Sequence, residues 1–202
     1  MFKPRTVTTK LLATAFAVSA IGSLAGASTW SAFSDLTANP GNTFGAGTVA
    51  ISDDDSGAAM FNGLTNLKPG DSATRCLVVT YGGSLPATVR LHGTTGGTGL
   101  DSYLQLRVIR GAKSSAFSGC GDFTADPTTY LAGKPAGTVY DGTLAGYPDS
   151  WAGGIVDPVT GSPETWITGE SHAYRFEVTV QNDVAAQGKT ATQAFRFEAE
   201  NE

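Results

Sequence analysis

His92 and His172 are the two histidines of this 202-residue chain, so metal or general-base chemistry must draw on them. His172 has Glu170 and Glu177 close by in sequence. If His172 begins a strand, Glu170 shares its face and Glu177 lies on the opposite one, because strand side chains alternate. One imidazole and one carboxylate fall short of the three or four protein ligands that hold zinc, and no His-Glu-x-x-His occurs. The plainer reading of His172 is a solvated strand-edge residue. No Gly-x-Ser-x-Gly nucleophile turn is present. Gly96-Gly97-Thr98-Gly99 lacks the following helix that a phosphate-binding loop needs. Asp53-Asp54-Asp55 offers oxygen ligands of the kind calcium takes, but its spacing matches no calcium loop, and a solvated acidic turn is simpler. The sequence therefore calls for no catalytic residue, no metal and no cofactor, and the expected class is not an enzyme.

Cys76 and Cys120 are the two cysteines. They form no Cys-x-x-Cys and are too few for a structural zinc site. In an exported chain they read as one disulfide, worth roughly 4 kcal/mol by loop-closure entropy; buried free thiols are the alternative.

Export is itself readable. Lys3, Arg5 and Lys10 precede an apolar or small stretch at 11–24. That is shorter than the ~20 residues of a membrane-spanning helix and fits a secretory signal peptide, with a retained anchor as the alternative. Ala25-Gly26-Ala27 would be cut to leave Ser28 first; Thr29-Trp30-Ser31 would leave Ala32 first. The expected division is 1–31 signal peptide and 32–202 a single domain. Removing 1–31 takes three of the 13 basic residues and none of the 18 acids, so ten face 18 and the formal charge becomes −8. That balance argues against nucleic acid or anionic membrane as partners, leaving the uncleaved signal peptide as the only membrane contact. Charged residues make up 15% of the chain, below the usual ~25%, which suits an extracellular β-protein that packs against copies of itself.

The elements read as all-β. Thr48–Ser52 is a short apolar run, and Ala58–Leu64 carries Met60 and Leu64 on one alternation. Lys68-Pro69-Gly70-Asp71 is a turn signal. Cys76–Tyr81 and Leu85–His92, separated by Gly82-Gly83, read as a hairpin. Leu104, Leu106 and Val108 share one face, opposite Gln105 and Arg107. Tyr174, Phe176, Val178 and Val180 give the cleanest alternation, and Phe195 and Phe197 are in phase near the end. Residues 93–169 read as a loop-rich, Gly-rich insert of long connections around one or two strands, with a helical turn near Thr143–Trp151. Tyr130, Tyr140, Tyr147, Trp151 and Trp166 lie there, as core anchors or as a carbohydrate platform. A jelly-roll-like antiparallel β-sandwich with long Gly-rich loops, preceded by a cleaved signal helix, is the expected fold.

Thr29-Trp30-Ser31-Ala32-Phe33-Ser34-Asp35 is followed by Thr43-Phe44-Gly45-Ala46-Gly47-Thr48, then Leu64-Thr65-Asn66-Leu67-Lys68-Pro69-Gly70-Asp71 and Gly83-Ser84-Leu85. Gln187-Gly188 and Phe195-Arg196-Phe197-Glu198-Ala199 close the set. In this order the motifs resemble the TasA/camelysin family of Gram-positive bacteria, exported with a SipW-type signal peptide. The resemblance covers 1–91 and 172–200. It implies a jelly roll, a dedicated signal peptidase as partner, and a cut between Ser31 and Ala32. It also implies a secreted biofilm-matrix or cell-surface protein that polymerises with itself. The freed arm, residues 32–43 with Ala32, Phe33 and Leu36 as anchors, would then add as a strand to the next subunit. An ordinary edge strand folded on its own domain is the alternative. Two other functions compete: a glycan- or host-binding sandwich using the Trp151 and Trp166 loops, and a camelysin-like metallo-endopeptidase.

Overall fold

Alternating apolar residues turn most of the chain into strands with one face to bury. The structure, a computed structural model, describes residues 47–158 and 164–201. The signal peptide, the Ser31/Ala32 cut and the Ala32–Phe33–Leu36 arm lie outside the described residues. The strands are β1 (Ile51–Asp53), β2 (Ser72–Tyr81), β3 (Ala87–Gly97), β4 (Leu104–Ala112), β5 (Thr124–Ala125), β6 (Thr138–Thr143), β7 (Ile155–Val156), β8 (Ser171–Val180) and β9 (Ala191–Asn201). They form two antiparallel sheets. One runs β1-β2-β8-β4, with β5 and β6 both pairing β4. The other runs β7-β3-β9.

The connections are those of a jelly roll. In that fold the two sheets read first-eighth-third-sixth and second-seventh-fourth-fifth in chain order. Here β2-β8-β4-β6 supplies second-seventh-fourth-fifth, and β9-β3-β7 supplies eighth-third-sixth. Among the described residues none takes the first-strand place, on the free side of β9. The strand β1 lies instead on the outer edge of β2.

The core forms where the two inner faces meet. Leu77, Val79 and Tyr81 of β2, Leu106 and Val108 of β4, and Tyr174 and Phe176 of β8 face Val89 and Leu91 of β3. Register puts Leu106 beside Val178 and Val108 beside Phe176, so apolar neighbours continue across the sheet. On the opposite face of this sheet, Arg107 reaches both Asp141 (3.0 Å) and Glu177 (3.7 Å).

Three expectations are corrected. Cys76–Tyr81 and Leu85–His92 are strands but not a hairpin: β2 pairs β1 and β8, while β3 pairs β7 and β9. Both strands have an apolar face to bury, and placing them in opposite sheets lets those faces meet. The connection between them turns sharply at Gly83, where a Cβ would lie 2.2 Å from the Tyr81 hydroxyl and 2.7 Å from the Thr48 carbonyl. Ala58–Leu64 is turn rather than strand, although Met60 and Phe61 still pack on the core. Residues 93–169 hold the end of β3 and all of β4, β5, β6 and β7. Their glycines and short strands masked the ladder. The helical turn expected near Thr143–Trp151 is a 3-10 turn, Leu144–Gly146, and another lies at Leu100–Tyr103.

Cys76 and Cys120 are joined, with Cα atoms 5.3 Å apart. The bridge ties fully buried Cys76 of β2 to the segment after β4, where Cys76 also pairs with Ser118 through its backbone. Replacing both cysteines by alanine lowers unfolding free energy by about 4 kcal/mol in urea titration. A loss below about 1 kcal/mol contradicts this placement of the bridge.

Candidate functional site

Strand β9 carries the right pattern to close a sandwich, yet its inner face stays half-exposed. Ala191, Gln193, Phe195, Phe197 and Ala199 point inward and none is fully buried. On neighbouring β3, Ala87, Val89 and Leu91 are completely buried. The cause is a cleft of about 1470 Å³ along β9. Leu77, Val79, Val178 and Val180 line it from the opposite sheet. The loop between β1 and β2 forms one wall, through Met60, Phe61, Leu64 and Leu67. The segment holding the 3-10 turn Val184–Ala186 lines the cleft near the start of β9. Phe195 meets Tyr147 edge-on (5.4 Å) and Phe176 at a tilt (4.7 Å), so the cleft floor is aromatic. An apolar cleft beside a strand edge that no described residue pairs can accept an extended segment, with backbone hydrogen bonds on one side and pockets for alternate side chains on the other.

A second constellation closes one end of the sandwich. The alternation that buries Leu104, Leu106 and Val108 continues to Arg110, and that of Tyr174 and Phe176 extends back to His172. Arg110 is therefore an inward-facing cation. Its guanidinium donates to Asp157 (3.0 Å), Asp126 (2.6 Å) and Glu164, and lies 2.7 Å from Nε2 of His172. Asp157 is fully buried and also accepts from the Trp166 indole (3.2 Å). Burial alone would lower the Arg110 guanidinium, but the Asp157 charge and the Asp126 bond raise it above its usual value. Burial holds the Asp157 carboxyl above the ordinary carboxylate range, against the pull of Arg110. Glu170 reaches His172 (2.9 Å) and accepts the Ile167 amide (2.9 Å). Burial works against the charge of Glu170, but these bonds keep its carboxyl below the usual 4.5.

Residues 6–96 match the sequence model of the camelysin metallo-endopeptidase family. The matched span is 91 of the 202 residues, and over it the chain is similar to that family. The match bears out the resemblance to the TasA/camelysin family that the ordered motifs carry. No curated protein matches the chain. The camelysin span runs from the N-terminal segment through most of β3, so it includes one whole wall of the cleft and the β2 part of its floor.

The family's description implies a metal. Among the described residues one group offers three ligands close together: Glu164, Glu170 and His172, with ligand atoms within 4.8 Å of one another. They do not fit a metal ion. The Arg110 guanidinium already contacts Glu164 and Nε2 of His172, and a dication held there would press on a permanent positive charge. These residues also lie outside the camelysin-matched span. His92, inside that span, is buried and paired with Glu198 at 2.7 Å.

Several single-residue expectations change accordingly. His172 is not a solvated edge residue; it belongs to the Arg110 network, and Glu177 does lie on the other face, beside Arg107. Trp166 is wholly buried and Trp151 is stacked under Arg90 at 5.1 Å, so the two do not make an exposed platform. The Asp53–Asp55 oxygens serve the turn itself: Asp54 accepts the Val78 amide (2.8 Å) and pairs with Lys113 (3.3 Å), and Asp55 accepts the Gly57 amide (2.6 Å). The Arg110 network was missed, although a signal existed. Extending the Leu104–Val108 alternation by one step places an arginine in the core, and a buried arginine requires carboxylates.

Arg110→Met leaves Asp157 buried without its cation and destabilises the fold by about 3–5 kcal/mol in urea titration. Glu170→Gln is less stable than the parent above about pH 4.5, and the difference fades as pH falls below that value, because the charged form is the one the fold favours. Stability curves measured from pH 7 to pH 3 check the sign; a difference that grows on acidification contradicts it.

Proposed function

We propose that this chain is a secreted structural protein of the cell surface or extracellular matrix, and that it assembles by strand addition into the cleft beside β9. The occupant is the arm 32–43 of a second copy. The observation that carries the reading is a jelly roll whose first-strand place no described residue fills, with apolar inner faces only half-buried by the described residues along that edge.

Length and direction favour a second copy over the same one. At about 3.3 Å per residue, the 11 residues of β9 present an edge about 36 Å long, and twelve extended residues span about 40 Å. A first strand of a jelly roll runs antiparallel to β9, so it ends beside Ala191. Gly47 sits at the other end of the sandwich. Thr48 and Ser84 exchange backbone and side-chain bonds there, and the 82–86 connection leads into Ala87, the partner of Asn201. Residues 44–46 bridge at most roughly 14 Å. They are too short to bring a chain's own arm back along the whole of β9 in that direction. The arm of a neighbour has no such constraint, and a head-to-tail contact that does not close grows as a filament.

A dedicated signal peptidase cutting between Ser31 and Ala32 would free the arm, with Phe33 and Leu36 as anchors. Secretion follows from the same reading. The peptidase alternative rests on the family's description alone, since the carboxylate–histidine group is filled by Arg110. The glycan-binding alternative loses its platform with Trp166 in the core.

The test is made on protein secreted by its producer, with the N-terminus read by mass spectrometry and the sample viewed by negative-stain electron microscopy. An Ala32 start with filaments is expected. Deleting Ala32–Leu36 should leave a folded monomer that forms none. Filaments of normal length from that variant would sink strand addition.

A further inference from the structure

We infer that the two ends of the sandwich form a direct apolar contact between successive copies. Val49, Leu85 and Ile167 of one copy pack on Val184 and Leu64 at the cleft mouth of the next. This rests on the strand-addition reading and adds a second surface to it.

The large apolar side chains left exposed are Val49, Leu64, Leu85, Ile167 and Val184, and they are not scattered. Three share one end. A Cβ on Gly47 would collide with the Leu85 side chain, and Val49 lies between Thr48 and Ala50, which bond to Ser84 and Gly82. Ile167 belongs to the turn that bonds the same connection through Gly169 to Tyr81 and through the Thr168 hydroxyl to the Gly83 carbonyl. Ile167 is 59% exposed. Val184 is 83% exposed, on the 3-10 turn between β8 and β9 at the opposite end, and lines the cleft together with Leu64.

Chain reach makes these ends meet. The arm leaves one copy at Gly47, beside Leu85. Antiparallel to β9 of the next copy, its last residue lies beside Ala191, at the Val184 end. Residues 44–46 span at most roughly 14 Å between those points. The end that carries Val49, Leu85 and Ile167 is thereby drawn onto the end that carries Val184. The contact is heterologous, so it repeats along the filament without closing. Isolated exposed apolar residues need no explanation, but two groups brought face to face by a short link gain from mutual burial.

The test uses the full secreted chain. Ile167→Cys and Val184→Cys are made separately, mixed, assembled and oxidised. The mixture should give a covalent dimer on a non-reducing gel, and each variant alone should give none. Ile167→Glu should raise the concentration needed for assembly at least tenfold. A synthetic peptide of residues 32–43 should still bind Ile167→Glu protein lacking Ala32–Leu36 as it binds the protein that lacks only the arm. Filaments without the mixed cross-link, or with cross-links from either variant alone, overturn the end contact while peptide binding leaves strand addition standing. Failure of the peptide to bind the arm-deleted parent overturns strand addition, and the end contact with it.

Discussion

The structure depends on one uncovered surface, the inward face of β9. A sandwich is stable when each sheet hides the other's apolar face, and at the centre of β2, β3, β4 and β8 this one succeeds. Leu91, Val89, Val79 and Phe176 lose all contact with solvent. Along β9 the pairing partner and the cover are both missing among the described residues, and Phe195 and Phe197 stay half-exposed although their rings pack against Phe176, Tyr147 and Tyr174. The cleft thus coincides with the one place of the jelly-roll topology that no described residue fills. It has the length and backbone chemistry of a strand.

The two ends of the molecule solve their edge problems differently. At the Arg110 end the sandwich is plugged from within, by a guanidinium shared among Asp157, Asp126 and Glu164, with His172 against it. Such a network fixes one arrangement of β4, β8 and the segments around Asp157 and Trp166, because any member removed strands the others. Among the described residues nothing comparable closes the core along the β9 side. Neither the Cys76–Cys120 bridge nor Arg110 lines the cleft.

Much of this was legible in the sequence. The alternation in Tyr174–Val180, the Leu104–Val108 face and the Phe195/Phe197 phase pointed to strands and a sandwich, and the ordered motifs of the first half carried the resemblance that the camelysin match bears out. What alternation does not report is which sheet a strand joins. Gly82-Gly83 looks like a hairpin turn, and only the need of β2 and β3 to bury faces against each other sends them to opposite sheets. Short strands broken by glycine, as in Thr138–Thr143, carry too little periodicity to stand out. The cleft was not legible at all. An open edge is a relation between strands distant in sequence, and the residues lining it read as ordinary core.

The most direct measurement is amide hydrogen exchange along Ala191–Asn201, comparing assembled protein with arm-deleted monomer. Strand addition predicts that the alternate β9 amides not bonded to β3 gain protection on assembly, while β3 is unchanged. Equal exchange along β9 in both states would contradict it, because no strand would then have joined that edge.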